Sequence, residues 1–173
     1  DTDRSRGLGD VYKRQMVKSS AEGLVNMLPA IIFLVACFLA FATGTSWGTF
    51  GILIPIVTGV FTDPATGAIV PGAEHLIIIG VSACLAGAVM GDHCSPISDT
   101  TIMASAGAQC NHINHVSTQV PYVLTVAAIS FVNYIIAGFV QNVVICLVIG
   151  ILLTLATLLV LKRVFGQKAA TQQ

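Results

Sequence analysis

From Ser19 to Leu161 the chain contains no lysine and no arginine, and its apolar residues arrive in long runs. Soluble domains carry roughly 25% charged residues. Here 9% are charged and 55% hydrophobic, with a mean hydropathy of +0.86. In water, such runs would have too little polar surface to cover them. A helix that crosses the hydrocarbon core needs about 20 predominantly apolar residues, and several runs approach or reach that length. The expected fold is an all-α integral membrane protein. Its expected setting is the bilayer, with no nucleic-acid partner.

Leu24 to Thr43 is the first run, about 20 residues long and sufficient to span. Gly44-Thr45-Ser46-Trp47-Gly48-Thr49 follows, then a second run from Phe50 to Phe61. That run, at about 12 residues, is too short to cross. A long run, a small polar tip and a short run suggest a re-entrant hairpin over residues 24–61. A plain surface turn between two helices is the other reading. Irregular backbone at membrane depth survives only when buried in protein or lining a wet cavity. Residues 62–73 carry two prolines and two glycines and are expected to form a loop.

A third apolar run, Leu76 to Met90, stops at Gly91-Asp92-His93-Cys94-Ser95-Pro96-Ile97-Ser98-Asp99-Thr100-Thr101. Nothing else in the chain sets so much polarity beside so much apolar sequence. Pro96 cannot continue an unbroken helix ladder, and small residues from Ile102 to Ala108 suit a second helical piece. Residues 76–108 are therefore expected to form one crossing of two half-helices with an unwound middle, a pattern that marks ion and substrate sites. Gln109 to Gln119 is polar and is expected to be a loop. Residues 121–140 and 143–161 read as two continuous transmembrane helices. Lys162, Arg163 and Lys168 after the last of these place the C-terminus in the cytoplasm by the positive-inside tendency. Asp1 to Gln15 is charged and aperiodic, and resembles a translated sequencing-adapter scar; it is set aside as a non-native or disordered tail. Residues 16–173 make the membrane domain.

Two strings carry a resemblance: FATGTSWGTFGILIPI (Phe41 to Ile56) and GDHCSPISDTTIMASAGAQCNHINHVSTQVPYV (Gly91 to Val123). They are similar to the NhaC-type sodium/proton antiporters of the ion transporter superfamily, and with their flanks the likeness covers nearly everything after Lys18. The resemblance implies two inverted repeats, each with a re-entrant hairpin and a broken helix whose tips meet at the ion site. It further implies that this chain is the second repeat plus a terminal helix. The expected activity is Na⁺/H⁺ antiport by alternating access across the cell's inner (cytoplasmic) membrane. Besides lipid, the expected partners are the first repeat of the same transporter and a second copy in a homodimer. No enzyme activity and no cofactor are expected, Na⁺ and H⁺ being cargo.

Asp92 and Asp99 are the expected carriers of cation and proton. A carboxylate in a low-dielectric site either finds a cation or takes up a proton, and no nearby Lys or Arg competes for the role. Na⁺ is a hard ion that favours oxygen ligands. Ser95, Ser98, Thr100 and Thr101 supply hydroxyls; Thr45, Ser46 and Thr49 at the hairpin tip are either hydroxyl ligands or tip-packing groups. The unwound backbone around Pro96 supplies carbonyls. Ser98 or Asp99 would equally suit an N-cap ahead of Thr100. His93 is either a proton relay, since histidine titrates near neutral pH, or a polar filler of the unwound segment. Trp47 is expected to be a packing wedge.

Two other functions fit less well. A sodium-coupled organic-anion exchanger of the malate/lactate type would need a cationic or helix-dipole anchor for its carboxylate, and the interior has no basic side chain but histidine. A membrane metalloenzyme would draw on Cys94, Cys110, His112 and His115, whose spacing matches no common zinc pattern. No metal ligand is therefore expected.

Overall fold

The structure is a computed structural model that describes the backbone of residues 2–63 and 66–170 and the side chains of residues 23–63 and 66–163. Six helices follow one another: α1 (Thr2–Thr43), α2 (Ser46–Val60), α3 (Glu74–Cys94), α4 (Asp99–Gly107), α5 (His112–Val140) and α6 (Val143–Ala170). The described residues contain no extended sheet, only one isolated bridge between Thr62 and Ile69 in the loop after α2. Among the described residues, four helical segments are long and apolar enough to cross a membrane: Gly23–Thr43, Glu74–Cys94, His112–Val140 and Val143–Arg163. The chain is a multi-pass helical membrane protein.

The core lies where α1, α2 and α3 meet. Ala36 and Ala40 of α1, Leu53 of α2, and Cys84 and Ala88 of α3 form one buried cluster. Val57 and Phe61 join Ala73 and Leu76 in a second. The small residues allow close approach between helices, as packing without a hydrophobic drive requires. Gly91 marks the tightest point in the α1–α3 contact: a β-carbon there would collide with the Cys37 carbonyl and approach the Phe41 backbone nitrogen to 2.9 Å. Helix α5 lies against α1 and α3. Its Tyr134 ring sits 5.3 Å from that of Phe33, and its hydroxyl donates to the Ser82 carbonyl at 3.1 Å. Helix α4 touches α3 and α5, and α6 touches only α5 among the described residues.

Several boundaries differ from those the sequence suggests. The apolar run of α3 ends at Met90, yet the helix has 21 residues and continues one turn to Cys94. At 1.5 Å per residue that is about 31 Å, so α3 alone is long enough to cross. The added turn is stable because the Asp92 side chain is hydrogen-bonded in protein. The polar stretch after α4 is a loop only to Asn111, whose side chain accepts from the Asn114 amide at 3.2 Å and caps α5. Pro121 thus lies inside α5 rather than at its start, and Pro29 is buried within α1. One missing ladder bond is tolerated where neighbouring helices support the backbone. Helix α1 takes in residues 2–15, set aside above as a non-native or disordered tail; what their side chains pack against lies outside the described residues. Helix α2, at 15 residues, remains too short to span.

Candidate functional site

The acidic stretch forms the turn between α3 and α4. Helix α3 ends at Cys94, Ser95 to Ser98 run outside a helix, and Asp99 opens α4. Asp92 sits on the last turn of α3 with 4% of its surface exposed. Across the turn, the fully buried Ser98 hydroxyl donates to Asp92 Oδ1 at 2.6 Å. Thr100 Oγ1 lies 2.7 Å from Ser98 Oγ and 3.5 Å from Asp92 Oδ2. Ser98 has one hydroxyl hydrogen, and Asp92 takes it. The hydrogen in the Ser98–Thr100 bond therefore belongs to Thr100. The result is a directed chain from exposed Thr100 through Ser98 to a buried carboxylate.

Ser98 occupies the N-cap position of α4 by its backbone (φ −73°, ψ 135°), but its side chain caps nothing and turns to Asp92 instead. From sequence, Ser98 is either an ion-ligating hydroxyl or a cap; in the structure its side chain does not cap and is hydrogen-bonded to the carboxylate. Ser95 is also fully buried, and its hydroxyl donates to the Phe41 carbonyl on α1 at 2.8 Å. Thr101 donates to the His93 carbonyl at 3.2 Å. These two hydroxyls hold the turn against its neighbours rather than pointing at Asp92. Asp99 and His93 are exposed, and His93 Nδ1 bonds the Val89 carbonyl at 2.9 Å. His93 joins the turn through its backbone, and its ring stays outside the Asp92 hydrogen bonds.

The hairpin tip meets this turn. Gly44 adopts the left-handed region (φ +67°), and a β-carbon on it would lie 2.9 Å from both the carbonyl oxygen and Cγ1 of Ile97. Only glycine combines that conformation with so close an approach. Thr45 is the N-cap of α2, its hydroxyl accepting from the Gly48 amide at 3.3 Å. Ser46 is half-buried as the first residue of α2. Trp47 does not wedge between helices: it is 83% exposed, with an edge contact to Phe50 at 5.9 Å.

His112 is weighed above as a metal ligand and not as a partner of the acidic turn. It opens α5 and bonds both the Pro96 carbonyl, at 2.7 Å from Nε2, and Ser105 Oγ, at 3.0 Å from Nδ1. Its proximity to the acidic stretch in sequence was the one available signal. Cys94 and Cys110 bond the carbonyls of Gly91 and Ser105. Among the described residues, no three of His, Cys, Asp and Glu gather to hold a metal ion.

The fold and this turn define the class: a helical membrane protein with a buried, hydroxyl-bonded carboxylate beside a helix break. Residues 8–139 match the profile of the Na⁺/H⁺ antiporter family, and the chain belongs to that family. The match reaches into the amino-terminal stretch set aside above. An uncharacterized protein of Haemophilus influenzae is 46% identical over 134 residues, covering 76% of this chain and 24% of that protein. The arginine/ornithine antiporter ArcD of Halobacterium salinarum is 32% identical, covering 67% of this chain and 23% of its own. The malate-2H⁺/Na⁺-lactate antiporter of Bacillus subtilis is 31% identical, covering 68% of this chain and 24% of its own. The chain thus spans about a quarter of the length of these curated relatives. No solved structure matches. Family and relatives point to a transporter rather than an enzyme.

Proposed function

We propose that this chain is the ion-carrying C-terminal repeat of an NhaC-type Na⁺/H⁺ antiporter in the cytoplasmic membrane, with its C-terminus in the cytoplasm. The observation that carries the reading is Asp92: a buried carboxylate that receives the Ser98 hydroxyl at 2.6 Å, has Thr100 Oγ1 at 3.5 Å from its other oxygen, and lies in a sequence interval with no Lys or Arg. Such a group must be neutralised by a cation or a proton. Competition between Na⁺ and H⁺ for it is an exchange mechanism in itself. When Na⁺ binds, the carboxylate and the hydroxyl oxygens of Ser98 and Thr100 supply hard ligands. When a proton binds, the Thr100–Ser98 chain gives it a route: exposed Thr100 takes a proton from solvent as it passes its own hydrogen to Ser98, and Ser98 passes its own to Asp92.

In the same reading, the α1–α2 tip is re-entrant and the α3–α4 turn lies at membrane depth. Two features support this: α2 is too short to span, and Gly44 rests against Ile97. Asp99, at the first turn of α4, serves as an outer carboxylate, with Ser95, Thr101, Thr45 and Ser46 holding the turn and the tip in place. The other repeat of the transporter completes the site. Sodium-driven proton movement in everted vesicles carrying the full-length protein tests this, with Asp92→Asn as the decisive variant.

A second reading is exchange of organic cargo. Relatives named for arginine/ornithine and for malate/lactate exchange are 32% and 31% identical, level with the 32% of a Haemophilus influenzae protein named as an uncharacterized Na⁺/H⁺ antiporter. A cargo with a cationic group suits an acidic site without basic side chains better than an anion does. Proton movement driven by arginine or malate but not by Na⁺ would favour it.

A further inference from the structure

We infer that His112 is a positioning residue for the Asp92 site, holding the α3–α4 turn to the start of α5 through the Pro96 carbonyl. The inference rests on the antiport reading above and adds to it a residue outside the set of carboxylates and hydroxyls. The geometry fixes the ring's chemistry. A carbonyl can only accept, so the 2.7 Å contact with Pro96 makes Nε2 a donor. Nδ1, 3.0 Å from Ser105 Oγ, then accepts the Ser105 hydroxyl when the ring is neutral. When the ring is charged, Nδ1 donates instead, and the Ser105 hydrogen goes to the Ile102 carbonyl at 2.9 Å. The Nε2–H to Pro96 bond survives in both forms.

Proline 96 is the residue that breaks the helix, and its neighbours define the site. Ser95 is fixed to α1 through Phe41, and Ser98 reaches Asp92. Between them the turn has one internal backbone bond, from the Ser98 amide to the Ser95 carbonyl at 3.3 Å. The His112 bond supplies the tie on the α5 side. Releasing it frees the peptide two residues before Ser98, and with it the hydroxyl that holds Asp92. Helix α5 also packs along α1 and α3, and the His112 ring adds a direct side-chain tie from its first turn to the peptide after Pro96.

The two amide replacements separate this from a merely structural role. A glutamine amide nitrogen reaches near the Nε2 position and can restore the Pro96 bond; an asparagine reaches near Nδ1 and restores only the Ser105 side. In the full-length transporter, His112→Ala and His112→Asn should each raise the Na⁺ concentration for half-maximal proton movement by about threefold to tenfold, the worth of one hydrogen bond. The maximal rate should change less. His112→Gln should recover most of the affinity, with all three variants inserted at parental levels. Equal affinities for the Asn and Gln variants, or parental affinity in His112→Ala, would overturn the inference. If His112→Ala fails to insert, the Gln/Asn comparison decides alone. Full transport by Asp92→Asn in the same vesicles would instead refute the antiport reading, so the two failures are distinguishable.

Discussion

Ser98 donates its hydroxyl to Asp92 at 2.6 Å, across the turn between two helices and six residues along the chain. Both side chains are buried, and Ser98 leaves the end of its own helix uncapped to make the bond. Ser98→Ala should therefore leave a buried carboxylate short of its closest donor. The expected cost is about 1–3 kcal/mol, seen as lowered thermal stability of the purified transporter. Ser98→Thr, which keeps the hydroxyl, should fall between the Ala variant and the parent.

Asp92 and Asp99 should separate on mutation. Asp99 is exposed at the first turn of α4, where a negative charge favours the helix by about 0.3–1 kcal/mol. Asp99→Asn should retain measurable sodium-driven proton movement with reduced apparent Na⁺ affinity, while Asp92→Asn should retain none. The comparison needs both proteins inserted at parental levels, checked by immunoblot. Equal losses would show that the two carboxylates act as one site.

The glycines give a test of packing that does not depend on transport. Gly44→Ala should disrupt the contact of the tip with Ile97, combining a left-handed backbone with a close approach. Gly91→Ala should be worse, because the added carbon meets α1 backbone that has no rotamer to change. Gly51→Ala has nothing within 4 Å and should be neutral. Size-exclusion profiles in detergent should rank Gly51→Ala best, Gly44→Ala next and Gly91→Ala the least well behaved. A monodisperse Gly91→Ala would contradict the α1–α3 contact.

How much of this was legible in the sequence depends on which force decides each element. The membrane class follows from composition and run length, which no tertiary contact can reverse. Asp92 and Asp99 both stand out in the sequence as acids without a basic neighbour beside apolar runs; that Asp92 is buried and Asp99 exposed was not visible there. The extent of α3 was not visible: apolar run length stops at Met90, while the helix continues because Asp92 is satisfied by Ser98 from beyond the turn. The bond from Ser98 to Asp92 in place of a cap is likewise tertiary, since residue type and position suit a cap equally well. Helix α5 was shortened in the sequence reading by treating polarity as loop; Asn111 supplies a cap, and polar residues can form a helix end. Thr45 reads from sequence as an ion ligand or a tip-packing group, and in the structure its hydroxyl caps α2, a use that sequence does not single out.

Orientation can be tested independently. Lys162 and Arg163 end the last candidate span, and the positive-inside tendency puts them in the cytoplasm. A C-terminal reporter fusion should fluoresce as a cytoplasmic protein does, and a periplasmic phosphatase fused there should be inactive. The reverse pattern would invert the whole arrangement of the chain.

The most direct test of the central claim is the Na⁺ dependence of proton movement at several pH values, measured in everted vesicles for the full-length parent, Asp92→Asn and Asp92→Glu. Protons and Na⁺ competing for one carboxylate predict that the parent's apparent Na⁺ affinity weakens as pH falls. They predict no sodium-driven movement in the Asn variant, which cannot change charge, and partial activity with altered affinity in the Glu variant. An Na⁺ affinity that stays flat across the range in which the carboxylate titrates, or full activity in Asp92→Asn, would contradict the account.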